Sequence, residues 1–437
     1  MYITATHVGH LGTLAALVVL GLSSGAGATI VLEADRETPG TPIVLSDNVL
    51  LGAPATLTLQ TTGGGSPGAD IYIDGSTNDD FFNTTTLFLD AGAGGNIRLA
   101  GPVGDTAAVA ALVVTSANAA TLPPVTTAGG GGVNVNANAI NLNGNVATAG
   151  AAITLQGNVT LGAAAAITLD TTTGAPAGGN ITITGTVNDD AANTSGLLLK
   201  GGTNGNINLQ GAVGGGTPIA SLTINSANQV SLPAVTTAGA VSVTATTLTL
   251  GGAMSAGGNV ALNAGTVNLN NKVTAVGVLT GTAGTVNLSM SGSLQNAFDI
   301  AASGALLNVA GGDYAESATA GTACTVKFSG NTSLGGTLTA SGAIALGGEA
   351  KSLAVDALSI GESGSLDLND IYLYADGDVE LTLGDWISDG RLFSTAWGSL
   401  IDASYDSSLD RTAVTPEPAT LALLALGGLV ALRRRIR

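Results

Sequence analysis

The chain of 437 residues carries 12 Lys or Arg against 30 Asp or Glu, and this net charge of −18 argues against nucleic acid or an anionic membrane as a partner. Its one cysteine, Cys324, excludes an intrachain disulfide and a cysteine-cluster metal site. The two histidines, His7 and His10, lie at the extreme N-terminus, so removal of that segment excludes histidine catalysis and His-ligated metals.

The N-terminal residues have the order of a secretory signal. Residues 11–22 read LGTLAALVVLGL and are followed by SSGAGA, in which Ala26 and Ala28 have the A-x-A spacing of signal peptidase sites. We therefore predict that residues 1–28 are a signal peptide and that signal peptidase cleaves after Ala28. No Lys or Arg precedes residue 11, so we expect the natural start to lie upstream.

The central part of the chain contains an internal duplication of about 110 residues, at 51–160 and 161–270. STNDDFFNTTTLFLDAGAGGNIRLAGPVG at 76–104 aligns without a gap with TVNDDAANTSGLLLKGGTNGNINLQGAVG at 186–214, and about half of the pairs are identical. Such self-similarity is the sequence signature of a repeat architecture. Each residue of the first copy therefore has a counterpart 110 positions later.

Short strands are predicted throughout the duplicated region. Runs such as ATLTLQT from Ala55 and VSVTATTLTL from Val241 alternate apolar with Thr or Asn residues at period two, as strands with one buried face do. Gly, Asn or Asp separates nearly every run and supplies the tight corners. About ten strand candidates per copy, two per coil, predict roughly five coils of about 22 residues. The predicted fold is all-β, a right-handed parallel β-helix or solenoid over residues 29–300.

An alternative fold is a pair of tandem antiparallel β-sandwiches, because about 110 residues also suit one sandwich. The lack of aromatic residues between Leu89 and Ala297 favours the solenoid, whose narrow core is filled by aliphatic side chains. The body resembles the β-helical stretches of filamentous haemagglutinin-like adhesins, and this resemblance implies shape only. In VNVNANAINLNGN, residues 133–145, the alternating Asn residues predict amide ladders between coils or simply a polar outer face.

The duplicated NDD motifs are the candidate metal site. Adjacent carboxylates beside an Asn at a corner offer oxygen ligands of the kind that Ca²⁺ takes. Turn chemistry before the next strand is the alternative interpretation of the same residues. No other cofactor is predicted. The candidate calcium ligands are Asp79, Asp80, Asp189 and Asp190.

The part of the chain after the solenoid is richer in aromatic and acidic residues. Residues 301–403 keep the strand alternation, and GDWISDGRLFSTAWGSLIDASY within and beyond it predicts a cap over the last coil or a separate small domain. The Ser- and Asp-rich segment 404–415 is interpreted as a linker.

The C-terminus, residues 416–437, resembles the PEP-CTERM sorting signal of Gram-negative-type bacteria. The resemblance implies processing by an exosortase and delivery towards the outer surface. The apolar segment is predicted to enter the inner membrane transiently, with the arginines held in the cytoplasm by the positive-inside rule. The elements that carry the resemblance are Pro416-Glu417-Pro418, the apolar residues 419–432, and Arg433-Arg434-Arg435.

These features together predict an exported, non-catalytic structural or adhesin-like protein of the cell surface or extracellular matrix. Polysaccharide or neighbouring cells are the expected contacts. The alternative is a β-helical carbohydrate-active enzyme, either a polysaccharide lyase or a hydrolase. Such enzymes need carboxylates beside Lys or Arg and aromatic platforms. The first copy's Tyr72 and Phe81 become Thr182 and Ala191 in the second, which argues against an enzyme.

Overall fold

The computed structural model describes residues 29–269, apart from the short gaps 53–54, 82–83 and 163–165, together with strand and helix segments between 271 and 416. The chain divides into two compact units, Met1–Thr246 and Thr247–Arg437. The predicted signal peptide, residues 1–28, lies outside the described residues.

Almost all of the regular secondary structure in the described first unit is β-strand. The first ten are β1 (Thr29–Leu32), β2 (Arg36–Glu37), β3 (Ile43–Leu45), β4 (Asn48–Leu51), β5 (Thr56–Gln60), β6 (Ile71–Ile73), β7 (Thr77–Asp79), β8 (Thr86–Leu99), β9 (Val109–Leu122) and β10 (Val125–Leu142). The next eleven are β11 (Val146–Thr148), β12 (Ile153–Leu161), β13 (Ile167–Asp170), β14 (Ile181–Ile183), β15 (Val187–Asp189), β16 (Gly196–Lys200), β17 (Ile207–Leu209), β18 (Ser221–Ser226), β19 (Gln229–Leu232), β20 (Val235–Thr237) and β21 (Val241–Leu250), the last of which runs into the second unit.

Buried side chains in the first unit stack in three columns, because each strand pairs in parallel with the equivalent strand one turn later. Column 1 contains Leu57, Leu87, Leu112, Val133, Ile153 and Ile181. Column 2 contains Ile43, Ile71, Ile97, Ala120, Ile140, Val159 and Val187. Column 3 contains Val49, Thr77, Val103, Val125, Val146, Leu169 and Leu199. All of these residues are buried.

The period-two pattern explains why these residues point inward. In strands such as Ile71–Ile73 and Ile181–Ile183 the first and third side chains are buried while the middle one is partly exposed. Burial of a Val, Leu or Ile side chain contributes about 1.5–3 kcal/mol, so the alternation keeps the aliphatic residues in the core. The parallel β-solenoid is thus confirmed. The tandem antiparallel sandwiches are wrong, since every strand–strand pairing described in the first unit is parallel.

The two copies have similar strands but occupy different columns. From Leu57, four turns along column 1 lead to Ile153. Its counterpart, Ile167, lies two columns further on, in the same strand as Leu169 of column 3. One copy therefore spans four complete turns and two further columns of a fifth turn. This is slightly fewer than the five complete coils predicted. Equivalent residues of the two copies face different sides of the solenoid as a result.

Asparagine side chains join successive coils, although not mainly in the run where amide ladders were predicted. The Asn118 side-chain amide donates to Asn96 Oδ1 at 3.0 Å, and Asn228 donates in the same way to Asn206 at 3.2 Å. Within 133–145, Asn136 donates to the Thr115 carbonyl at 3.0 Å. The two Asn–Asn contacts thus lie at one duplicated corner, and a further amide–amide contact, from Gln156 Nε2 to Asn134 Oδ1 at 3.3 Å, reaches a residue within 133–145.

The second unit continues with short strands and one helix. Its strands are β22 (Met254–Ala256), β23 (Val260–Leu269), β24 (Val273–Ala275), β25 (Leu279–Leu288), β26 (Phe298–Ile300), β27 (Leu306–Val309), β28 (Gly312–Tyr314), β29 (Ala318–Ala320), β30 (Thr325–Phe328), β31 (Thr332–Ala340), β32 (Ala343–Leu346), β33 (Ser352–Ile360), β34 (Ser365–Asp367), β35 (Tyr372–Asp376), β36 (Leu392–Phe393), β37 (Ile401–Asp406) and β38 (Arg411–Pro416). The helix is α1 (Glu380–Ser388). From β22 to β36 the described pairings are again parallel.

An antiparallel hairpin follows these parallel strands. Strands β37 and β38 pair with each other, and β38 also pairs antiparallel with β35. Helix α1 contacts both strands of the hairpin and buries Leu383. This is the arrangement that a cap would have, and its role as a cap stays a prediction.

The interpretation of residues 404–415 as a linker is wrong, because most of them belong to this hairpin. Ala403, Thr412 and Val414 are buried on one face, and the polar residues between them are more exposed. The turn is closed by Ser408, whose amide and hydroxyl both donate to Asp406 Oδ1. The Ser- and Asp-rich composition is therefore that of an exposed strand face and turn.

The threonine at position 77 predicts a stabilising substitution. Its buried Oγ1 has no hydrogen-bond partner among the described residues, whereas its counterpart Val187 fills the equivalent inward position with a methyl group. Because an unsatisfied buried hydroxyl is costly, Thr77→Val is expected to raise the free energy of unfolding by about 1 kcal/mol. Chemical denaturation measures the shift in midpoint.

Thr148→Val is the matched control. The buried Thr148 hydroxyl donates to the Ala151 carbonyl, so the same substitution there removes a hydrogen bond. It is expected to lower the midpoint. Equal destabilisation by both substitutions contradicts the assignment of Thr77.

Candidate functional site

The NDD motif of the first copy forms a hydrogen-bonded corner. Asp79 ends strand β7 and is buried. Its Oδ2 accepts hydrogen bonds from the backbone amides of Thr84 and Thr85, both at 2.8 Å, and the Thr84 hydroxyl donates to its Oδ1 at 3.1 Å. The carboxylate therefore closes the loop that leads into the next strand.

The second copy repeats this corner. The amides of Thr194 and Ser195 donate to Asp189 Oδ2 at 2.7 and 2.8 Å, and the Thr194 hydroxyl donates to Oδ1 at 3.1 Å. Burial raises the pKa of Asp189, but the hydrogen bonds from Ser195 and Thr194 outweigh burial and hold the pKa below its ordinary value. The ionised form is the one that the corner stabilises.

The neighbouring carboxylates have a different environment. Asp80 and Asp190 are exposed, and each accepts a hydrogen bond from the amide of the following residue, at 2.8 and 2.7 Å. Asp79 and Asp189 lie in columns 3 and 2 respectively. The four predicted ligands thus form two separate pairs.

The asparagine that precedes each pair connects the corner to the next coil. Asn78 Oδ1 accepts from the amides of Thr106 and Ala107 at 3.0 and 3.1 Å. Asn188 Oδ1 accepts from Gly216 and Thr217 at 2.9 and 3.1 Å. An asparagine stands first in both NDD motifs, and this repetition was the sequence signal for the bridging role.

The described residues contain no group of three or more His, Cys, Asp or Glu side chains placed to hold a metal ion. In each corner the buried carboxylate already accepts hydrogen bonds from amides and a hydroxyl, whereas the exposed carboxylate accepts a hydrogen bond from the amide of the following residue. Calcium binding at Asp79, Asp80, Asp189 and Asp190 stays a prediction.

A second polar cluster, which the sequence reasoning missed, lies on the outer face of strands β6 and β8. Arg98 forms an ion pair with Asp74, and its guanidinium carbon lies 5.4 Å from the centroid of the Tyr72 ring. Tyr72 Oη donates to Asp70 Oδ2 at 2.5 Å, and the Asn96 amide donates to Asp70 Oδ1 at 2.8 Å. These two contacts hold the pKa of Asp70 below its ordinary value, and the bond to Asp70 raises the pKa of Tyr72.

The second copy has an ion pair at another place. Lys200 Nζ lies 3.0 Å from Asp170 Oδ2, and these residues are the counterparts of Asp90 and Gln60. Burial raises the pKa of Asp170, but hydrogen bonds from Thr172 and Lys200 lower it below its ordinary value overall. This pair joins two adjacent strands and stands alone within the described part of the second copy.

The Asp189 corner generates a prediction about stability and pH. Asp189→Asn keeps the shape of the side chain but replaces one carboxylate oxygen by an NH2 group. Oδ2 accepts from two backbone amides, and an NH2 group at that place cannot, so the substitution is expected to lower the free energy of unfolding by about 1–3 kcal/mol. Because the folded-state pKa is lowered, the stabilisation is present above the unfolded pKa of about 3.9 and is lost as the pH falls through the folded value. Thermal melts at pH 7 and at about pH 3 measure this difference.

Asp190→Asn is the matched control, since Asp190 is exposed and next in the chain. We expect it to leave the melting temperature nearly unchanged. A similar loss in both variants, or a gap between Asp189→Asn and wild type that is as large at about pH 3 as at pH 7, contradicts the role of Asp189. The same melts with millimolar Ca²⁺ and with chelator test the calcium prediction, which requires a rise with the metal.

The sorting residues lie at and beyond the end of the described chain. Pro416 is the last residue of β38 and pairs with Ile401. Glu417, Pro418, the apolar segment 419–432, Arg433, Arg434 and Arg435 lie outside the described residues. Within the described residues, no helix has the length and apolar character needed to cross a membrane.

Comparison with known proteins identifies one segment of this chain, at its C-terminus. The family model for the PEP-CTERM protein-sorting motif matches residues 414–436. No curated protein and no solved structure shows significant similarity to the chain. The chain therefore ends in a PEP-CTERM protein-sorting motif, which marks an exported protein that is sorted to the cell envelope or outside it and processed by an exosortase-type enzyme.

Proposed function

We propose that this exported β-solenoid is a non-catalytic structural protein of the cell surface or extracellular matrix with an adhesin-like role. The observation that carries the proposal is the use of the duplicated NDD motifs. The buried carboxylates of Asp79 and Asp189 bind backbone amides, and Asn78 and Asn188 bind the next coil. The strongest candidate for chemistry is thus engaged in holding the coils together.

The charge states of the carboxylates support the same proposal. A glycoside hydrolase typically needs a carboxylic acid whose pKa is raised, so that it can donate a proton to the leaving group. In the described residues, each aspartate with a clearly shifted pKa has it lowered. These aspartates are Asp70, Asp170, Asp189 and Asp406.

The outer surface suits weak and repeated contact. The outward positions of neighbouring strands in the sheet carry small polar side chains such as Thr154, Thr182 and Asn208. Single contacts of this kind are weak, but many in parallel give avidity when copies are displayed together on a surface. The net charge of −18 keeps such a surface soluble. Polysaccharide and the surfaces of neighbouring cells are the partners that this chemistry fits.

The proposal predicts a phenotype in cells. Deleting residues 51–250, which removes most of the duplicated region, is expected to weaken aggregation, biofilm cohesion or surface attachment. Growth on soluble nutrients is expected to stay unchanged, because no catalytic step is lost. Settling assays and crystal-violet staining of attached cells measure the effect.

Two control strains sharpen this test. Restoring the full chain should restore attachment, whereas a chain without residues 416–437 should be exported but not retained, and should restore it poorly. Normal attachment in the deletion strain contradicts the proposal. Depolymerisation of a polysaccharide by the purified chain, abolished by Asp→Asn at positions 79, 80, 189 and 190, would establish the enzyme instead.

A further inference from the structure

We propose that the outward residues Val44, Tyr72, Arg98 and Thr121, with Asp70 and Asp74 beside them, bind a chain of a neutral hexose polymer. This set is called the Tyr72 patch below. The inference rests on the proposed adhesin-like function and assigns that function a site and a ligand class.

Strand register brings the patch together. Val44 pairs with Tyr72, Tyr72 with Arg98, and Arg98 with Thr121. The four residues therefore lie side by side on four strands that are neighbours in the sheet, one from each of four successive turns. Neighbouring strands are about 4.8 Å apart, which makes the row about 14 Å long. The row is therefore long enough to contact several units of an extended chain.

The patch offers an apolar surface beside polar groups. Val44 is 52% exposed, which is unusual for a valine in this solenoid, and it lies next to the Tyr72 ring. The Arg98 and Asp74 side chains are 50% and 38% exposed. A sugar ring has the same two-sided character, with C–H groups that pack on apolar surface and hydroxyls that need hydrogen bonds.

A groove adjoins the row on the side of Arg98. Its volume is about 270 Å³, and Thr121, Pro123, Pro124 and Asn143 line it together with Arg98. This volume is slightly below the range of about 300–1,000 Å³ typical of sites that enclose a whole small molecule. It suits one unit of a polymer whose other units remain on the open surface.

The second copy provides an internal comparison. The counterparts of the row are Thr154, Thr182, Asn208 and Ser231, which pair in the same order. The inward neighbours do not differ: Ile71 and Ile97 correspond to Ile181 and Ile207, and all four are buried. The scaffold thus accepts small polar residues at these positions, so the fold does not require Tyr72 or Arg98.

Charge selects the class of ligand. Asp70 and Asp74 stand beside the single cation Arg98, and the whole chain is strongly acidic, so an anionic polymer is repelled. Arg98 and Asn143 offer donors and the two carboxylates offer acceptors, and a hydroxyl can pair with either because it both donates and accepts. A neutral polyhydroxylated chain therefore fits better than a polyuronate.

Affinity gel electrophoresis of the purified full chain tests the proposal. Gels contain dextran or glucomannan as neutral polymers, or polygalacturonate as an acidic one. Wild type is expected to be retarded by at least one neutral polymer and not by polygalacturonate. The variant Tyr72→Thr/Arg98→Asn, which gives the first copy the residues of the second, is expected to bind about tenfold or more weakly.

Thr182→Ala/Asn208→Ala in the second copy is the matched control and is expected to bind like wild type. Thermal melts of both variants check that they fold. Three results overturn the proposal: no retardation by either neutral polymer, equal binding by Tyr72→Thr/Arg98→Asn, or retardation by polygalacturonate of the same strength.

The same variant separates the site from the proposed function. If Tyr72→Thr/Arg98→Asn loses polymer binding in gels while cells that carry it attach normally, the site stands and adhesion does not depend on it. If cells lacking residues 51–250 attach poorly but no neutral polymer is bound, the proposed function stands and the Tyr72 patch is wrong.

Discussion

The parallel hydrogen-bonded pairing of each strand with the strand one turn later is the constraint on which the rest of this structure depends. In-register stacking places residues of adjacent turns about 4.8 Å apart, so a column can continue only if each layer fits the next. Aliphatic residues meet this condition, and columns such as Ile43, Ile71 and Ile97 contain little else. Because one coil cannot bury its own apolar face, stability comes from neighbouring coils.

Stacking also determines how polar residues are used. Where the chain turns between columns, backbone groups leave the strand ladder and need other partners. Asp79 and Asp189 supply them within a coil, and Asn78 and Asn188 supply them between coils. Outward side chains within strands are not needed to bind these backbone groups, so the residues at outward positions can differ between the two copies. The contrast between Tyr72 with Arg98 and Thr182 with Asn208 lies at such positions.

Much of the fold could be predicted from the sequence because its signals are local. The alternation in ATLTLQT identifies Leu57 and Leu59 as inward residues, and both are buried. The partner of a strand is not a local property: Tyr72 and Arg98 are far apart in the chain, and turn length varies. Hydrogen bonds from one coil to the next span 21 residues at Asn136 and 30 at Lys200. This variation hid the Tyr72 patch.

Disulfide trapping of adjacent coils tests the stacking most directly. In a Cys324→Ala background, Thr154→Cys/Thr182→Cys places two cysteines at paired outward positions, where a Cα separation of about 4.8 Å permits a disulfide. Thr154→Cys/Asn208→Cys spans two coils, about 9.6 Å by the same spacing, which exceeds the bonding range. The stacking predicts near-complete intramolecular oxidation of the first pair and little of the second. Equal oxidation of both pairs, or none of the first, contradicts it.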